Sequence, residues 1–207
     1  MYRSNATNQK WLRIKSSVRF SKDNGTPQLF FEHGVEVAND KLFFSFTYPY
    51  TYTMVQNELA LYDSTHVNAL DTKGSIFYQR ELVTRSLDGR RIDLLTISSV
   101  DGLLDTEKEP LLPGLFPDAT KPDERPPVFP EKEIVFVSAR VHPGEVPAQH
   151  TFKGILSLLM DPNDLRGKEL RARYVFKLIP MPTSDGEIGC RSHRLGEIYK
   201  YADLDFI

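Results

Sequence analysis

Cysteine is almost absent from this chain: Cys190 is its single example. No internal disulfide can form, which favours a reducing, intracellular compartment. Long hydrophobic runs are missing too. None approaches the ~20 apolar residues needed to cross a bilayer, so no membrane partner is expected. The opening residues, MYRSNATNQK, lack the apolar stretch of a secretory signal. A cytoplasmic location is therefore expected, and the Asn5-Ala6-Thr7 glycosylation pattern reads as chance. Charge of one sign is not in excess: Lys plus Arg number 26, Asp plus Glu 28, net −2. That balance offers no basic field for nucleic acid. What remains is 207 residues with 40% hydrophobic and 26% charged side chains. This is an ordinary globular composition, long enough for one or two cores.

The chain is organised around Glu133 to Met160, EIVFVSARVHPGEVPAQHTFKGILSLLM. Ile134-Val135-Phe136-Val137 reads as a fully buried strand. Phe152, Ile155, Leu156 and Leu159, spaced i, i+3, i+4, i+7, read as one face of a helix. Between them stands His142-Pro143-Gly144-Glu145. Pro143 and Gly144 punctuate the turn, and Pro147 suits the first turn of the helix. An imidazole and a carboxylate thus lie three residues apart, just past the carboxyl end of a strand, where open α/β sheets bind ligands. Both are good ligands for Zn²⁺, and a catalytic zinc takes three protein ligands and keeps a position for water. His142 and Glu145 are the candidate metal ligands. A His-x-x-Glu pair alone is weak, and the strand before it and the helix after it supply the context.

Short apolar groups at Trp11–Ile14, Val18–Phe20, Leu29–Phe31 and Leu42–Phe46, with turn residues at Asp23-Asn24-Gly25 and Asn39-Asp40, predict a β-sandwich-like unit. The aromatic cluster from Phe43 to Tyr52 is expected in the core. A helix is expected over Met54–Leu61. Ile76–Thr84 and Ile92–Ser98 read as a hairpin turning at Asp88-Gly89. Residues 101–132 hold seven prolines and many charges, and read as an irregular surface loop. Asp161-Pro162 ends the main helix. Asp164–Arg173 then reads as a short charged helix with Leu165 and Leu170 as its apolar contacts, and Tyr174–Met181 as a second buried strand. Strand, helix, strand in this order predicts a parallel crossover.

Ser138-Ala-Arg-Val-His-Pro-Gly-Glu145 resembles the zinc-binding signature of the cytosolic carboxypeptidases, a branch of the zinc metallocarboxypeptidases. Phe46-Thr-Tyr-Pro-Tyr-Thr-Tyr-Thr53, Arg91-Ile-Asp-Leu-Leu-Thr-Ile97 and Phe176-Lys-Leu-Ile-Pro-Met181 are similar to the same branch. The resemblance covers roughly residues 10–187. It implies an α/β class: a β-rich domain over 1–70, then the first part of an α/β/α catalytic domain over 71–207 binding one Zn²⁺. It implies hydrolysis of carboxy-terminal or branch glutamates on glutamylated tubulin or similar acidic protein tails. Arg140 would support the strand end or make a solvated ion pair.

The chain departs from the family after the second strand. Met181-Pro182-Thr183-Ser184-Asp185-Gly186 stands where the family has Met-x-Asn-Pro-Asp-Gly. Arg191 or Arg194 lies near the place of the carbonyl-polarising, substrate-binding arginine. The family's second zinc-binding histidine and glutamate base would fall beyond Ile207, so the catalytic domain is expected to be incomplete and the strand over 174–181 to have an unprotected edge. His193 and Cys190 are remote candidates for a further ligand. His150 is expected to face solvent or a neighbour. His33 and His66 belong to the amino-terminal region. Two other readings stand beside the carboxypeptidase: a catalytically silent protein-binding module, and a zinc amidohydrolase of the aspartoacylase type.

Overall fold

The computed structural model describes residues 1–5, 10–23, 25–35, 37–66 and 75–182. The chain forms two compact units, Met1–Pro49 and Tyr50–Ile207. The boundary expected near residue 70 falls within 67–74, outside the described residues. The observed division comes earlier because the helix after Pro49 belongs to the second core.

In the first unit, β1 (Tyr2–Asn5) is the centre of a three-stranded antiparallel sheet with β2 (Leu12–Arg13) and β5 (Leu42–Ser45). β3 (Arg19–Asp23) and β4 (Thr26–Phe30) form a separate hairpin. Gly25 sits at φ 81° in its turn, a conformation that costs glycine little. β2 to β5 fall at or beside the apolar groups of the sequence, whereas β1, the central strand, has no counterpart among them. The aromatic cluster is core only at its end, where Tyr50 is 4% exposed and Tyr52 packs against the same cluster. Phe43, Phe44, Phe46 and Tyr48 are exposed, Phe46 at 80%. These strands are short, and each sheet covers little of its own surface.

The second unit is built on a four-stranded mixed sheet, ordered β10-β11-β7-β6. β6 (Ile76–Arg85) and β7 (Arg91–Ser99) are the expected hairpin. Gly89 closes it at φ 78°, its amide donating to Ser86 O at 3.0 Å. β10 (Glu133–Ser138) and β11 (Tyr174–Ile179) pair in parallel, and β11 also pairs with β7. Among the described residues the open edge therefore belongs to β10 and not to β11, which is flanked on both sides. For the same reason β10 is only partly buried, with Ile134 at 39% exposure. Its continuous apolar run reads as a central strand, yet among the described residues it has a neighbour on one side only.

One face of the sheet carries three helices. α1 (Tyr52–Thr65) is capped by Thr51, whose hydroxyl accepts from Met54 N at 3.2 Å, and buries Val55 and Leu59. α2 (Val146–Met160) presents Phe152, Leu156 and Leu159 to the sheet residues Leu95, Ile97 and Leu178. α3 (Leu165–Arg173) is capped by Asp164, which accepts from the amides of Arg166 and Gly167. Leu165 is 80% exposed, contrary to expectation. The buried face of α3 is instead Gly167 and Arg171, with Leu170 partly buried. The Arg171 guanidinium donates to Leu159 O at 2.7 Å and to Asp161 O, satisfying the last carbonyls of α2.

The other face is covered by the proline-rich segment. The segment is exposed over much of its length, as expected, but it is not irregular throughout: residues 101–132 contribute β8 (Leu104–Lys108) and β9 (Pro127–Val128), which pair with each other. Phe116 is 2% exposed, and its amide donates to Val83 O of β6 at 2.7 Å. Phe129 packs edge-on against Phe77 at 5.4 Å. Beneath the segment lies a buried cluster of charges. Arg125, 1% exposed, pairs with Glu81 and with Glu109 (3.1 Å), and stands 3.4 Å over the Phe116 ring. Lys177 of β11 pairs with Glu109 and donates to Thr96 at 2.9 Å.

Candidate metal centre

β10 ends at Ser138, and α2 starts at Val146. The intervening turn holds both expected ligands. Glu145 N donates to His142 O at 3.1 Å and Ala148 N to Glu145 O at 3.0 Å, so the turn winds directly into the helix. Pro147 occupies the first turn of α2, where its missing N–H costs nothing.

The structure brings His142 and Glu145 together. His142 Nδ1 lies 2.9 Å from Glu145 Oε1, and the His142 amide donates to Oε2 at 3.2 Å. Both side chains are open to solvent, at 76% and 50% exposure. The hydrogen bond from the His142 ring, then that from its amide, hold the Glu145 carboxyl below the usual range. An exposed carboxylate is ionised at neutral pH, as a metal ligand must be. The donor set fits one half of a zinc site: one nitrogen and one carboxylate, converging at an accessible turn. Among the described residues no third histidine, cysteine, aspartate or glutamate joins them. Arg191, Arg194, His193 and Cys190 lie outside the described residues. His150, on α2, meets a neighbour: its ring stands edge-on to Tyr50 at 5.0 Å.

Two residues matter more than the sequence suggested. Arg140 is buried, at 6% exposure, rather than solvated. Its Nε donates to Pro143 O at 3.2 Å and its Nη1 to Tyr50 O. Tyr50, 4% exposed, donates its hydroxyl to Glu58, and burial followed by that bond raises its phenol above the ordinary value. The signal in the sequence was the co-occurrence of two strings, Phe46–Thr53 and Ser138–Glu145; what joined them was a long-range contact that no local pattern reports.

A mixed sheet with helices on one face, and a turn bearing His142 and Glu145 at the end of a parallel strand, is the arrangement that comparison with known proteins identifies. The family model described as Zinc carboxypeptidase matches residues 65–197, and the chain belongs to that family. Metallo-carboxypeptidases from Burkholderia cenocepacia and Pseudomonas aeruginosa share the fold, with TM-scores of 0.55 and 0.56 at 19% identity. The alignments cover 90% and 89% of this chain, and 38% and 37% of theirs. Within the family, the chain is 43% identical over 190 residues to cytosolic carboxypeptidase-like protein 5 of Bos taurus. It is 44% identical over 187 residues to the Mus musculus protein of that name, and 34% identical over 188 residues to cytosolic carboxypeptidase 6 of Caenorhabditis elegans. These matches cover 88%, 86% and 89% of the chain, but 21%, 20% and 33% of the relatives. The chain therefore spans a fifth to a third of the length of these relatives.

Proposed function

We propose that this chain is the metal-binding part of a zinc carboxypeptidase that removes glutamate from protein carboxyl termini or side-chain branches. Its substrates would be glutamylated tubulin or similar acidic protein tails. The observation that carries the reading is the convergence of His142 and Glu145 at 2.9 Å in the β10–α2 turn. The identity to cytosolic carboxypeptidase-like protein 5 supports the carboxypeptidase activity, and the glutamate preference rests on the resemblance of the sequence motifs. Held by these two residues, Zn²⁺ would supply Lewis-acid polarisation of a peptide carbonyl and a more acidic water. The chain's own part is to hold an ionised carboxylate and an imidazole at one accessible turn. The same relatives carry "cytosolic" in their names, which supports a cytosolic location.

A second reading, a catalytically silent protein-binding module, draws on the first unit. Its exposed aromatics, Phe20 at 68% and Phe46 at 80%, suit a protein contact. One assay separates the two. The purified chain with Zn²⁺ is given a carboxy-terminally polyglutamylated peptide, beside His142→Ala. The expected result is Zn²⁺ retention that His142→Ala abolishes, with little glutamate release, because no third ligand joins the pair among the described residues. Zn²⁺ retention unchanged in His142→Ala would refute the site. Peptide binding with no Zn²⁺ retention would favour the silent module.

A further inference from the structure

We propose that Arg140 is a positioning residue: its guanidinium fixes the turn that carries His142 and Glu145, and so sets the metal affinity of that turn. The proposal rests on the metal-binding reading above and names the device that pre-organises it.

Arg140 sits at φ 54°, in the left-handed region that side chains other than glycine enter at a cost. Glycine would adopt this backbone freely, so the arginine side chain must return something glycine cannot. It is also a cation with 6% exposure, which is expensive unless its donors are used. They are used on two carbonyls. Nε donates to Pro143 O at 3.2 Å, inside the His142–Glu145 turn. Nη1 donates to Tyr50 O, outside it. The planar, forked guanidinium can bridge two carbonyls in this way, which the single ammonium point of lysine does less well.

The outer anchor is itself immobilised. Tyr50 packs in the main core, its ring meets His150 of α2 at 5.0 Å, and its hydroxyl is bonded to Glu58 of α1. Lys153 of α2 pairs with Glu58 at 3.2 Å and lies 5.8 Å from the Tyr50 ring. Arg140 thus ties the turn to a point that α1 and α2 both hold. His142 and Glu145 are exposed, and a turn of two exposed ligands gains affinity when its backbone is fixed before the ion arrives.

The test is zinc affinity, by competition with a chromophoric chelator, on the 207-residue chain and its variants. Wild type should bind, and His142→Ala should not. Arg140→Gly should weaken binding about 10- to 100-fold, as loss of a group that orients metal ligands does. Its thermal midpoint should fall little, because glycine relieves the backbone at that position. Arg140→Lys should recover part of the affinity. Wild-type affinity in Arg140→Gly, with binding lost in His142→Ala, would overturn the proposal and leave the metal reading intact. Equal affinity of wild type and His142→Ala, or no binding by wild type, would overturn the metal reading and this proposal with it. If Arg140→Gly does not fold, Arg140→Lys decides, and wild-type affinity there overturns the proposal.

Discussion

Arg125→Ala is expected to lower the free energy of unfolding by about 3–5 kcal/mol, read as a fall in the urea midpoint at constant slope. Arg125 is held by Glu81, by Glu109 at 3.1 Å, by Pro110 O at 3.3 Å and by the face of Phe116. Alanine removes all four partners from one buried point. Two carboxyl groups would then share one cation, Lys177, which is itself buried and whose ammonium burial pushes below the usual range. Breaking such a cluster costs more than the cluster contributes, because the remaining charges stay desolvated. Glu81 gives the effect a pH signature. Burial, outweighing the pull of Arg125 and Lys177, raises its carboxyl to about 7 from the ordinary 4.5. Its second oxygen is buried with no hydrogen-bond partner among the described residues, in keeping with that direction. The folded chain therefore keeps a proton that the unfolded chain loses. The stability linked to Glu81 is present below pH 4.5 and is lost as pH rises through 7. Without Arg125 the carboxyl is pushed higher still, so the deficit of Arg125→Ala should be larger at pH 8 than at pH 5. An equal deficit at both would place the loss in packing against Phe116. Adding Glu81→Gln to Arg125→Ala should restore part of the stability, as a double-mutant cycle would show.

Two helical glycines are expected to answer alanine with opposite signs. At Gly167 in α3 a Cβ would lie 2.2 Å from Leu158 O of α2 and 3.0 Å from the Arg171 guanidinium. The first of these is backbone in the last turn of α2 and cannot turn aside as a side chain can. Relief requires α3 to move off α2, which also loosens Arg171 from the carbonyls of Leu159 and Asp161. Overpacking of this kind costs about 1–3 kcal/mol, beyond the roughly 1 kcal/mol that alanine gains over glycine in a helix. Gly167→Ala should therefore destabilise. At Gly154, inside α2, a Cβ meets nothing within 4 Å. Gly154→Ala should stabilise by about 0.5–1 kcal/mol through backbone entropy alone. Thermal unfolding of the two variants checks the pair, and stabilisation of both would mean the α2–α3 approach is wider than described.

The readable parts of the fold were those with local signals. Asp88-Gly89 announces the β6–β7 turn, and the apolar spacing from Phe152 to Leu159 announces α2. The His142–Glu145 turn was legible because proline and glycine mark it and a strand and helix bracket it. The unreadable parts depended on what lies far away in the chain. Ile134–Val137 looks the same whether a strand has one neighbour or two. The prolines of 101–132 suggest exposure, while Phe116 and Arg125 within them find partners on β6 across more than thirty residues. Leu165 looks like a contact, but the close packing of α3 on α2 needs the smallest residue, Gly167, at the interface. Arg140 carries no local mark at all: its burial depends on a carbonyl ninety residues earlier.

Among the described residues β10 is the edge of the four-stranded sheet. Along Glu133–Ser138 one row of amide and carbonyl groups pairs with β11, and among the described residues no strand takes the opposite row. Its sequence, EIVFVS, carries one charge and no proline, the two devices by which edges are usually blunted. Any extended polypeptide that reaches this row can continue the ladder, and each addition presents a new row to the next. A strand paired along that row would leave β10 flanked on both sides, as β11 already is.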